Sequence, residues 1–163
     1  VGRVLVNDGI AYVTLGDMIL VLWKDAARVH RLRWLFDQVD AAVAKHPGGI
    51  VGLQLVLPSA SPHDGPARNE NSVRMRKLGG GLRRLVTVPL GDAFWVTIVR
   101  AVMRTLALLS GQSKVQFVAN SEDQGLDLAL QAASADTPSR QEVIAALDEM
   151  YAALGVARTK AAA

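Results

Sequence analysis

The sequence predicts a single α/β domain on a mixed β-sheet, with an antiparallel opening and later parallel β-α-β crossovers. Three observations carry this. Ile50-Val51-Gly52-Leu53-Gln54-Leu55-Val56-Leu57 is a near-continuous apolar run of strand length; such a run reads as a strand buried on both faces. Asn7-Asp8-Gly9 stands between two short β-like runs, and Asp-Gly readily takes the positive φ of a hairpin turn. Behind the opening strands the pattern runs α-β-α-β-α-β-α-α, and that alternation implies right-handed crossovers and parallel pairing.

Taken in order, residues 4–6, 10–15 and 18–23 are β-like, the last following Gly16-Asp17. Asp25 is placed to cap a helix whose Val29, Leu32, Phe36, Val39 and Val43 recur at three- and four-residue spacing. His46-Pro47-Gly48-Gly49 ends it and delivers the chain to the central strand. That strand empties into a proline-stiffened loop, 58–66, of the kind α/β proteins place at the carboxyl rim of the sheet. A basic helix over 67–78 has only Val73, Met75 and Leu78 as apolar anchors, and Gly79-Gly80-Gly81 reads as a flexible connection.

Residues 84–89 form the next strand, and Asp92 caps an apolar helix over 93–109. Arg100, Arg104 and Thr97 share one stripe of it, which favours a mostly buried helix with one wet edge over a bilayer span, since about 20 residues are needed to cross. Residues 114–118 make a last short strand. Ser121-x-x-Gln124 and Ser139-x-x-Glu142 are capping-box spacings. The final helix carries Val143, Ile144, Leu147, Met150, Tyr151 and Leu154 on one face, to cover the domain's own sheet or another subunit; past Gly155 a frayed end is expected.

The 163 residues contain no cysteine, so disulfides and thiolate chemistry are excluded within this chain. No signal-peptide pattern opens it, which makes cytoplasmic the default location. Half the residues are hydrophobic and a fifth charged, a globular balance. Positive charge concentrates between residues 65 and 84, where Arg68, Arg74, Arg76, Lys77, Arg83 and Arg84 face one acid, Glu70.

The passage Arg84-Leu85-Val86-Thr87-Val88, Phe94-Trp95, Leu106, Lys114-Val115-Gln116-Phe117-Val118 and Leu126-Asp127-Leu128-Ala129-Leu130 resembles the SpoIIAA-like (STAS/SEC14-like) bacterial families. The likeness implies a domain over residues 1–135 with helices mostly on one face, the amphipathic helix and tail of 136–163 being an addition. It also implies a non-enzymatic regulatory role. The Asp-Ser pair phosphorylated in one branch of the family is missing; Ser59 and Ser61 stand in the corresponding region.

Ser59, Ser61, His63 and Asp64 hold the residue types of a hydrolase triad, but close sequence neighbours seldom converge on one another, and no Gly-x-Ser-x-Gly elbow is present. They are expected to serve partner binding or phosphorylation. Arg68, Arg74, Arg76 and Lys77 are candidate anion or nucleic-acid contacts, weakened by the lack of an aromatic among them. Leu147, Met150, Tyr151 and Leu154 are candidates for self-association. His30, His46 and His63 lack ligand spacing, and neither metal nor cofactor is expected. The leading expectation is a non-catalytic regulatory or scaffolding module that binds a protein partner or its own copy.

Overall fold

A computed structural model describes residues 2–159. Its single six-stranded sheet runs in sequence order: β1 (Leu5–Asn7), β2 (Ile10–Leu15), β3 (Met18–Trp23), β4 (Ile50–Val56), β5 (Leu82–Pro89) and β6 (Gln116–Val118). β1, β2 and β3 pair antiparallel, and β3 through β6 pair parallel. The first turn works as read: Asp8 and Gly9 both have positive φ, at 45° and 83°. β4 lies between two parallel neighbours, and its alternate side chains enter opposite cores.

Five α-helices cover both faces: α1 (Val29–Lys45), α2 (Gly65–Leu78), α3 (Ala93–Ser110), α4 (Glu122–Leu130) and α5 (Arg140–Ala153). Three of them, α1, α2 and α3, share one face with Ile19, Val21, Trp23 and Val56; α4 and α5 close the other over Val13, Leu20, Leu53 and Val86. Gly125 lets α4 lie close to β5, because a Cβ there would sit 2.3 Å from Val88 Cγ2. Asp92, Ser121 and Ser139 cap their helices as expected, the last in a complete capping box.

Several expectations are corrected. Asp25 does not cap α1; its backbone N–H donates to Gly9 O, and the N-cap is Arg28, whose side chain makes no capping bond. The triple glycine forms a 3-10 turn that leads straight into β5. The chain past Gly155 is held as far as it is described: Arg158 is bonded to Ile144 O and paired with Glu122 and Asp148. The rest of the tail, 160–163, lies outside the described residues. Leu147, Met150, Tyr151 and Leu154 are buried against the sheet in the same core as β2 and β3, so they offer nothing to a second copy. Finally, α3 is not mostly buried: only 28% of its residues are.

Candidate functional site

The loop between β4 and α2 lies at the carboxyl rim, where the sequence reading placed it, but its polar residues are engaged separately. Ser59 Oγ donates to Lys24 O at 2.6 Å. Asp64 caps α2 by accepting from Ala67 N–H at 2.8 Å, and it pairs with Arg28 at 3.1 Å. Those bonds, the Ala67 N–H first, hold its carboxyl below the usual range. Ser61 is exposed beside a shallow hollow that Arg28, His30 and Arg31 also line. Among the described residues no hydrogen bond joins either serine to His63, or His63 to Asp64, so no nucleophile–base relay is assembled.

His63 turns inward, between α2 and α3. Burial lowers its pKa to about 4, with the Arg68 charge adding and Asp64 opposing. It is therefore neutral at pH 7. Two small cavities of about 30 and about 50 Å³ share Trp23, Gln54, His63 and Met103 in their walls; such volumes admit water but no substrate-sized molecule. Across the strands beneath them, Trp23 Nε1–H donates to Gln54 Oε1 at 3.2 Å and Gln54 Nε2 donates to Thr87 Oγ1 at 2.7 Å. Trp95 Nε1 and Gln116 Nε2, near the same gap, are buried with no partner among the described residues. The seat of α3 is thus incompletely satisfied.

The basic segment is largely spent inside the molecule. Arg74 pairs with Asp37 at 2.9 Å and Asp40 at 3.2 Å and stacks over Phe36, while Arg68 donates to His63 O and Arg76 to Leu109 O. Arg83 pairs with Asp17, and Arg84 bonds Leu128 O and lies over the Phe117 ring. Lys77 is exposed on the last turn of α2. Carboxylates offset Arg74 and Arg83, whereas Arg68, Arg76 and Arg84, bonded to carbonyl oxygens, keep their charge but are held in place. Among the described residues no three His, Asp or Glu side chains gather as a metal site.

What the structure leaves open is the outer side of α3. Its inner side, Val99, Met103 and Leu106, packs on Val56 and Val118. Phe94, Ala101 and Leu108 recur at seven-residue spacing and fall within about 40° of one another, on the side opposite that seat. Phe94 is 76% exposed, Leu108 68% and Leu109 56%. The two charges of the helix, Arg100 and Arg104, stand to one side, along a hollow shared with β6; β6 is the edge strand, with no neighbour beyond it among the described residues. By length and composition alone α3 could cross a membrane; here it is a surface helix fixed to the sheet by its inner side. The sequence reading missed its exposure because an apolar run does not say how wide the sheet beneath it is.

A second residue escaped sequence reading. Asp17 is 3% exposed and receives Ser134 Oγ–H at 2.6 Å, Thr137 Oγ1–H at 2.9 Å and Arg83. Burial pushes its pKa up, but those hydrogen bonds and the Arg83 charge outweigh it and leave the carboxyl low. It clasps the α4–α5 connection to the β2–β3 turn and β5, far in sequence from both. Comparison of the chain with protein-family models, with curated proteins and with solved structures found no match.

Proposed function

We propose that this chain is a non-catalytic interaction module that meets a protein partner through the outer side of α3. One observation carries the reading: Phe94, Leu108 and Leu109 stand out from a single helix, whereas the other large exposed hydrophobics among the described residues, Val6 and Val73, are scattered. Soluble domains seldom leave contiguous apolar surface without a use for it. Two further features support it. Ser59 and Asp64 are held in structural bonds, and the two cavities that His63 lines are too small for a substrate. The resemblance to SpoIIAA-like domains points the same way, toward regulation by contact instead of chemistry.

A photo-crosslinking amino acid placed at Leu108, in cells that make this chain, tests the reading. Covalent protein adducts are expected from that position and not from Ala41, which is exposed on α1. Equal labelling at the two positions, or none at Leu108 and at Phe94 alike, overturns it.

A further inference from the structure

We infer that the open edge of β6 binds an extended acidic segment of another protein, which adds one strand to the sheet and sets two carboxylates on Arg100 and Arg104. The inference goes beyond the reading above and does not depend on it, because it uses none of the outer stripe of α3.

Its ground is the edge strand itself. Val115 O accepts from Leu85 N–H and Ala119 N–H donates to Thr87 O. With Leu85 in register with Gln116 and Thr87 with Val118, the residues bonded to β5 are 115, 117 and 119. A parallel ladder then aims the backbone N–H and C=O of Gln116 and Val118 away from the sheet. Among the described residues no strand lies beyond them, and no loop or cap takes these groups. Such an edge is a template for one more strand.

Beside it lies a hollow of about 370 Å³, with Arg100, Arg104 and Leu108 of α3 on one side and Ser113, Gln116 and Val118 on the other. Its charge has one sign. From Ala93 to Ser121 the sequence holds Arg100, Arg104 and Lys114 and no acidic residue. Arg100 donates to the neutral Asn120 Oδ1 and Arg104 is exposed. The carboxylates that follow the strand, Glu122 and Asp123, are taken by Arg158 and Arg140.

Spacing sharpens the recognition. α3 returns antiparallel to β6, so Arg100 lies toward the Val118 end, beside Asn120, and Arg104 toward the Gln116 end. The two arginines are about 6 Å apart along the helix axis, and alternate residues of a strand stand about 7 Å apart on one face. Residues paired with Gln116 and Val118 point to the face of α3, since Val118 packs on that helix. An acid at each position meets one arginine. The residue between them points the other way, beside Phe117 and the opposite core, and is apolar. This acid, apolar, acid order reads the same in both directions and suits either strand polarity. No two acidic residues of this chain are separated by a single residue, so a second copy does not supply the segment.

A capped nonapeptide of alternating valine and glutamate tests this by NMR titration and amide exchange on the full chain. Exchange should slow several-fold, most at the Gln116 and Val118 amides. A peptide of the same composition with its glutamates in one block should bind about tenfold more weakly, and so should the alternating peptide to Arg104→Glu. Unchanged circular dichroism and melting temperature verify the folding of this variant, which is altered at an exposed side chain. No binding at millimolar peptide overturns the proposal, as does equal binding of the two peptides. Binding that leaves the Gln116 and Val118 amides in fast exchange rules out the added strand. Full competition by glutarate at equal concentration marks a plain anion site and overturns it too.

Discussion

α3 and α5 are both apolar helices of this one sheet, and they stand in opposite conditions. α5 puts Val143, Leu147, Met150 and Tyr151 wholly into the core, over the wide floor formed by β2, β3 and the strands beside them. α3 sits near the edge, where its inner apolar residues pack on Val56 and Val118 and Met103 meets Gln54, and β6 is three residues long. A helix with apolar residues on most of its circumference cannot bury them on so narrow a floor. The surplus remains on the outside, as the stripe of Phe94, Ala101 and Leu108. Composition made α3 the better candidate for burial and α5 the better candidate for display; the width of sheet under each decided otherwise.

The contrast is broken most severely by a charge under α5. Leu147→Asp places an unpaired carboxylate in a fully buried site, at a cost on the order of 4 kcal/mol or more, and Leu147→Ala should cost about 3 kcal/mol. Urea denaturation followed by far-ultraviolet circular dichroism measures both. If Leu147→Asp unfolded no more easily than the parent, α5 would have to be a dispensable appendage, and the contrast would collapse.

The seat of α5 is also locked from its own end, by Asp17. Asp17→Ala removes the acceptor of Ser134, Thr137 and Arg83 together, and should cost on the order of 3 kcal/mol. Asp17→Asn keeps the shape but not the charge and should cost less. Because the folded pKa lies below the ordinary carboxylate value, this contribution is present at neutral pH and is lost as pH falls below about 4. Denaturation midpoints of the two variants that match the parent's would show the clasp to be idle.

These two cases show what the residues disclosed beforehand. The succession of elements, the β1–β2 turn, the central place of β4 and three of the helix caps are local: alternation, Asp-Gly, and Ser or Asp before an apolar run carry them. Asp17 was invisible because its partners lie in β5 and in the 134–137 connection, and nothing near it in sequence marks it as buried. Ser59, His63 and Asp64 were found as chemically able residues, yet Ser59 bonds Lys24 O, His63 lines the cavities beneath α3 and Asp64 caps α2. Proximity along the chain predicted their neighbourhood and not their aim.

On the α3 side the expected weak point is His63. Its folded pKa is about 4 against 6.5 in the ordinary state. Above pH 6.5 the ring is neutral in both states and the fold keeps its full stability. As pH falls from 6.5 toward 4 the unfolded chain takes up a proton that the folded chain refuses, and stability declines by at most about 3 kcal/mol. His63→Gln should flatten the stability profile in that window and leave the decline below pH 4, to which Asp17 and Asp64 contribute. Amide exchange should report the loss in α2 and α3 before α5. A parent whose stability is constant from pH 7 to 4.5 would show that His63 is not held in its neutral form.

The smallest expected effect is the most informative about the contrast. Leu108→Ser replaces a large apolar residue in an apolar helix, a change that in α5 would be ruinous. On the outer side of α3 the side chain is 68% exposed, so little buried surface is lost and stability should move by no more than about 0.5 kcal/mol. The change should appear elsewhere, as shorter retention on a phenyl column and a lower tendency to associate. A destabilisation several times larger would mean that Leu108 is already covered within a single chain, and that the open side of α3 is not open.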